Sequence, residues 1–206
     1  MTFNKSLLIL AFIFSTTLVF AQTDEGWNLA LSKKGIDVYT RKPANAKMKE
    51  FKAETHLNAA PDKILTVILD AENYKNWMAN VEEGQLIKKE NDSTYLIHSA
   101  VGMPWPFDDR YEITRTVVLT DSLPNTIICK VTVLKENIEG FEENENDVRI
   151  VDGYGYWRLE DDGNGGTNVI YSFYADPAGN LPKGIVNMFI EESPYKTLLN
   201  LKSMVE

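Results

Sequence analysis

Hydrophobic and polar residues alternate through most of the middle of this chain. Residues 85–90, 93–101, 110–119, 126–135, 147–159 and 167–175 each read as a strand rich in β-branched and aromatic residues. Turn chemistry separates them: Asn91-Asp92 reads as a hairpin connection, and so does the run from Asp161 to Gly166. Residues 35–41 alternate in the same way, and residues 48–57 read as their partner. Residues 27–31 look like a short helical lead-in. The period then changes. Pro61 suits a first helical turn, and Ile64, Leu65, Ile68 and Leu69 share one helical face that ends at Asp70. A short second turn around Trp77 is expected within residues 72–78. Strands, helix, many neighbouring strands and a final helix make an α+β domain. Its antiparallel sheet is strongly curved, with the helices on one side.

The C-terminal stretch breaks the simple pattern. Asp176-Pro177-Ala178-Gly179-Asn180-Leu181-Pro182 leads from a strand into helix-forming sequence. There Ile185, Val186, Met188, Phe189 and Ile190 cover more than one helical face, so this helix needs apolar contacts on two sides. On one straight wheel that face does not continue into Tyr195, Leu198, Leu199, Leu201 and Val205. Pro194 removes a backbone donor and disfavours helix at Ser193. A kink or break at residues 192–194 is expected, with Ser193 capping the second segment. The first half is the expected wall of a cavity. The second is expected to dock on the sheet and on the helix around residues 64–69.

Composition narrows the class. The 206 residues are 44% hydrophobic and 25% charged, with no repeat or linker, which fits one domain with a sizeable core. A net charge of −9 argues against nucleic acid as a partner. It also argues against strong electrostatic docking on anionic lipid, while leaving room for brief hydrophobic membrane contact. Lys5, the apolar run from Leu7 to Phe20 and the small residues Val19 and Ala21 fit a secretory signal peptide cleaved after Ala21. The expected organisation is therefore residues 1–21 as signal peptide and 22–206 as the domain, exported to a periplasm or secreted. The single cysteine, Cys129, lies in an apolar run and reads as a buried small hydrophobe. The only histidines are His56 and His98, too few for a His/Cys metal cluster. No phosphate loop and no nucleophile elbow are present. No cofactor, metal or catalytic residue is expected.

Several local motifs, in order, resemble a START domain, the steroidogenic-acute-regulatory-protein-related lipid-transfer fold of the helix-grip superfamily. They are Trp27 with Gly35-Ile36-Asp37-Val38-Tyr39-Thr40-Arg41, Asp70…Trp77, Pro104-Trp105-Pro106 with Asp109-Arg110, Val148-Arg149-Ile150 with Tyr156-Trp157, and the Asp176–Pro182 turn with Val186-Asn187 and Leu198…Leu201. The resemblance spans about residues 27–206. It implies a curved antiparallel sheet wrapped around a long C-terminal helix, with a hydrophobic cavity between them for one apolar molecule. The expected partner is a hydrophobic small molecule such as a lipid or sterol, bound by a monomer that is not an enzyme. The runner-up is a cyclase- or hydrolase-like enzyme of the same superfamily.

The resemblance also nominates residues. Arg110 matches a cavity arginine of the family, whose acidic neighbour falls at Ser99 here. Glu112, two residues along the same strand, shares a face with Arg110. Glu112 or a lipid polar group is therefore the expected partner of Arg110, against an exposed pair without a ligand role. Trp105 suits either ordinary packing or a contact with ligand or membrane at the cavity mouth, and Trp157 invites the same choice between core and ligand. Leu123 is a candidate apolar tip near the entrance. Ile185, Met188, Phe189 and Leu199 are the expected cavity face of the last helix, against a dry core filled by the same side chains. His98 neighbours the inward Ser99 and is expected to face outward. The acidic segment 136–147 reads as a solvated loop, since it lacks the spacing of a calcium site.

Overall fold

The computed structural model describes residues 26–206 except Asn45, Pro124 and Glu143. The expected signal peptide lies outside the described residues. Ten strands form one sheet among the described residues: β1 (Asn28–Lys33), β2 (Ile36–Arg41), β3 (Glu50–Leu57), β4 (Val81–Asn91), β5 (Thr94–Val101), β6 (Arg110–Leu123), β7 (Thr126–Val133), β8 (Val148–Arg149), β9 (Gly153–Asp161) and β10 (Thr167–Ala175). Their spatial order is β1-β2-β3-β10-β9-β7-β6-β5-β4, antiparallel throughout, with β8 added in parallel to β6. The helices α1 (Pro61–Leu69) and α2 (Tyr74–Trp77) follow β3. The chain ends in α3 (Lys183–Asn187), one π-helical turn (Met188–Glu192) and α4 (Ser193–Val205). This is the expected α+β helix-grip.

Residues 28–33 are a strand, not a helical lead-in. Lys34 and Gly35 both take positive φ (53° and 74°) between the paired Lys33 and Ile36. A two-residue turn of that kind matches strand twist and folds β1 back onto β2. The run 147–159 also divides. Val148 and Ile150 donate to the carbonyls of Asp109 and Tyr111, and the chain then leaves β6 to begin β9 at Gly153.

The acidic segment before β8 is more than a solvated loop. Its Ile138 and Phe141 pack over Leu96, Ile113 and Leu134 on the outer face of the sheet. Arg149 fastens it by donating to the carbonyls of Glu136 (2.7 Å) and Leu134 (3.3 Å). His98 does face outward, but it is buried beneath this segment, 5.0 Å from the Phe141 ring centre.

The main core lies on the concave side. Ile36, Val38, Leu57, Ile64, Leu159 and Val169 meet Leu198, Leu201 and Val205 there, all fully or almost fully buried. The second half of the last helix thus docks on the sheet and on α1. Cys129 belongs to the same core, where burial pushes its thiol up to about 12.

The last helix does not break at Pro194. Ser193 stays helical, and its hydroxyl donates to the Met188 carbonyl (3.1 Å) instead of capping a new segment. The π turn holds one residue more than an α turn, which absorbs the proline and re-phases the helix. That extra residue reconciles the two apolar faces that a straight wheel sets apart.

Candidate ligand pocket

Between the last helix and the concave face lies a mostly apolar hollow of about 160 Å³. Phe51, Tyr171 and Phe173 form its sheet side, and Val186, Phe189 and Ile190 its helix side. Gly155 gives Phe173 room. A Cβ on Gly155 would come within 2.3 Å of the Phe173 ring and of the Ser172 carbonyl. Ser193, Pro194 and Thr197 continue the wall into α4. Two bonds fix that end, from Asn80 Nδ2 to the Ser193 hydroxyl and from the Ala79 amide to Thr197 Oγ1 (3.0 Å).

The polar residues nominated on β5 and β6 come together here. Ser99, Arg110 and Glu112 all line the hollow. Strand parity explains it, because Arg110 and Glu112 share a face and Ser99 sits opposite Glu112 in the ladder. Arg110, however, is not held by Glu112. Its buried guanidinium donates to main-chain carbonyls: Nε to Pro177 (3.2 Å), Nη2 to Ala178 (3.5 Å) and Nη1 to Asp108. These carbonyls satisfy the buried charge and tie β6 to the turn that feeds α3.

Glu112 has a different environment. Burial in the apolar hollow pushes its carboxyl from the ordinary 4.5 up to about 7, partly opposed by a hydrogen bond with the Ser99 side chain. Tyr171 lines the hollow nearby. Burial, with the Glu112 charge as a smaller cause, raises its phenol further still, so it stays a neutral donor.

The other nominations divide. Phe189 lines the hollow. Ile185, Met188 and Leu199 are half-buried and do not, because the π turn rotates Val186, Ile190 and Thr197 inward instead. Trp157 belongs to the core, stacked 3.9 Å from Tyr171, and it is Tyr171 that reaches the hollow. Trp105 is 92% exposed, so packing does not account for it, and Met103 from the same loop supplies the lining side chain. Leu123 is half-exposed on the end of β6 and does not line the hollow. The alternation of Tyr171, Phe173 and Ala175 along β10 is the signal that finds the sheet wall from sequence. No comparable signal marks the π turn.

Among the described residues no group of His, Cys, Asp or Glu is placed to hold a metal ion. No helix among them is long and apolar enough to cross a membrane.

Residues 48–206 match the family described as polyketide cyclase/dehydrase and lipid transport. The chain belongs to that family. It is 29% identical to a STAR-related lipid transfer protein from Xanthomonas axonopodis, with a TM-score of 0.76 over 87% of this chain and 98% of that one. Human StAR-related lipid transfer protein 5 has the same fold at 17% identity, with a TM-score of 0.76 over 89% of this chain and 88% of that one. Phosphatidylcholine transfer protein of Mus musculus is 27% identical over 171 residues, 81% of this chain and 78% of that protein. These neighbours carry the START fold expected from the sequence.

Proposed function

We propose that this chain binds one hydrophobic small molecule, a lipid or sterol-like compound, between its last helix and the concave face of the sheet, and carries it through water. The observation that carries the reading is the apolar hollow with Ser99, Arg110 and Glu112 on one wall. Desolvation of the ligand supplies affinity, and those few polar groups orient it. The lipid-transfer names of the relatives support the same reading. At about 160 Å³ the hollow falls short of the roughly 300–1,000 Å³ usual for ligand sites, so loading requires outward movement of the helix wall. Export after cleavage at Ala21 would put such a carrier between membranes. The exposed Trp105, beside the lining Met103, is suited to brief contact with a membrane.

The test is mass spectrometry of small molecules extracted from the chain purified from its native source. A stoichiometric hydrophobe is expected. Absence of one, with no binding to a panel of lipids, overturns the proposal.

One observation favours the enzyme reading. A carboxyl near 7 in an apolar pocket suits general acid–base work on an apolar substrate. The histidine–carboxylate pair that would strengthen it does not form in the hollow, since His98 lies on the opposite face of the sheet. If Glu112→Gln abolishes turnover of a bound compound while leaving its binding intact, the enzyme reading replaces the carrier.

A further inference from the structure

The convex face of the sheet carries a second, unrelated hollow of about 350 Å³. Register places Lys52, Ser172 and Tyr156 side by side across β3, β10 and β9, all pointing outward. Ser172 is the short one. Its hydroxyl is turned down to the Phe51 carbonyl (2.9 Å), so a dip opens between two long neighbours. Trp27 closes one side, with the Arg41 guanidinium 4.4 Å and the Lys52 ammonium 5.4 Å from its ring centre. Arg158 and Tyr154 complete the walls.

The charge of this hollow runs against that of the chain. Among the described residues that line it, Arg41, Lys52 and Arg158 are basic and Glu50 is the single acid, in a chain of net charge −9. Glu50 is already engaged by Arg41 and by the Tyr154 hydroxyl (3.2 Å). Lys52 and Arg158 have partners in Glu54 (2.8 Å) and Glu160 (2.7 Å), neither of which lines the hollow. Arg158 Nε is buried without a hydrogen-bond partner among the described residues.

We infer that this hollow is a binding site for a small anion carried on a sugar-like ring. Guanidinium groups match carboxylate and phosphate oxygens, and the rings of Trp27, Tyr154 and Tyr156 form part of the wall against which a ring can pack, although Trp27 already carries Arg41 and Lys52 and Tyr154 stacks on Tyr174 (5.1 Å). Among the described residues of the lining Ile170 is the only aliphatic side chain, so a polar ring fits better than a greasy one. The volume lies at the low end of small-molecule sites and suits one ring. The site does not depend on the lipid reading, because it lies on the other face of the sheet.

The experiment is amide chemical-shift mapping on the isotope-labelled chain, titrated with glucuronic acid, glucose 6-phosphate, glucose and inorganic phosphate. Either acid sugar is expected to move the amides of Trp27, Arg41, Lys52 and Arg158 while leaving those of Glu112 and Phe189 in place. The tighter of the two acids names the anion. Glucose is expected to bind at least about ten-fold more weakly, and Arg158→Gln to weaken the acid sugar by about ten-fold. Trp27→Ala, which removes a ring at the rim of the fold, is expected to do the same. No shifts in the groove at about 10 mM acid sugar overturn the site. Equal binding of glucose, equal binding of inorganic phosphate, or indifference to both variants overturns it as well.

Discussion

The two halves of the last helix both carry apolar faces, and they have opposite roles in the fold. From Lys183 to Glu192 no side chain is buried, although the segment is rich in Ile, Val, Met and Phe. From Ser193 to Val205 seven residues are buried, and Leu198 and Leu201 are completely so. The second half is an anchor, held by core packing and by bonds from Ala79 and Asn80. The first half hangs over the hollow. Its root is the turn that Arg110 grips through the Pro177 and Ala178 carbonyls. Apolar composition alone does not make a helix part of the core. A helix can be apolar because it covers a space that something else is to fill.

The largest expected effect tests the anchor. Leu198→Ala empties a fully enclosed site and should cost about 3 kcal/mol, read as a lower denaturation midpoint with an unchanged slope. Phe189→Ala, on the hanging half, should cost about 1 kcal/mol or less, because its ring borders an existing hollow. It should release bound lipid more readily. Equal destabilisation by the two variants would erase the distinction between the halves.

That distinction was half legible in the sequence. The change of face beyond Glu191 is visible in the spacing of Tyr195, Leu198 and Leu201, and it correctly gives the second half to the core. Its structural cause was not legible. A π turn leaves no pattern of its own, so the sequence points to Ile185 and Met188 as cavity wall where Val186 and Ile190 stand. The meeting of Ser99, Arg110 and Glu112 follows from strand parity and was readable in advance. The grip of Arg110 on distant carbonyls was not, because main-chain acceptors carry no residue identity. β1 is not legible in the sequence because its exposed Asn28, Leu29 and Ser32 show no alternation, and the Lys34-Gly35 turn is what marks it.

Glu112 measures how firmly the hanging half closes. Its carboxyl holds a proton more tightly in the folded chain, at about 7 against the ordinary 4.5. Below pH 4.5 the group is protonated in both folded and unfolded chains and costs nothing. Between 4.5 and 7 the unfolded chain ionises first, so stability falls as pH rises, and above 7 the full loss persists. The loss amounts to at most about 3 kcal/mol. Glu112→Gln should remove it, stabilising the chain at pH 8 and changing little at pH 4 in paired thermal melts. A carboxyl titrating near 4.5 by NMR would mean that water reaches it, and that the hanging half stands open in solution.

The root of the hanging half gives a smaller and more local effect. Arg110→Met keeps an apolar stem but abandons the carbonyls of Asp108, Pro177 and Ala178. The loss should be about 1.5 kcal/mol, close to the value of a hydrogen bond to a charged donor. Amide exchange should locate it, with protection across residues 183–192 falling by about ten-fold and α4 unchanged. Ligand affinity should fall too, and unchanged affinity would remove Arg110 from the site.

The smallest effect on stability belongs to Trp105. A side chain that is 92% exposed contributes little to the fold, so Trp105→Ala should shift stability by less than about 0.5 kcal/mol. Its expected effect is kinetic. If the loop bearing Trp105 and Met103 meets the membrane while the hanging half lifts, the variant should extract lipid from neutral vesicles more slowly. It should still hold the same lipid with the same affinity once loaded. Phe189→Ala should show the reverse, with normal extraction and faster loss. An extraction rate unaffected by Trp105→Ala would place the membrane contact elsewhere and leave the hanging half as the sole moving part of loading.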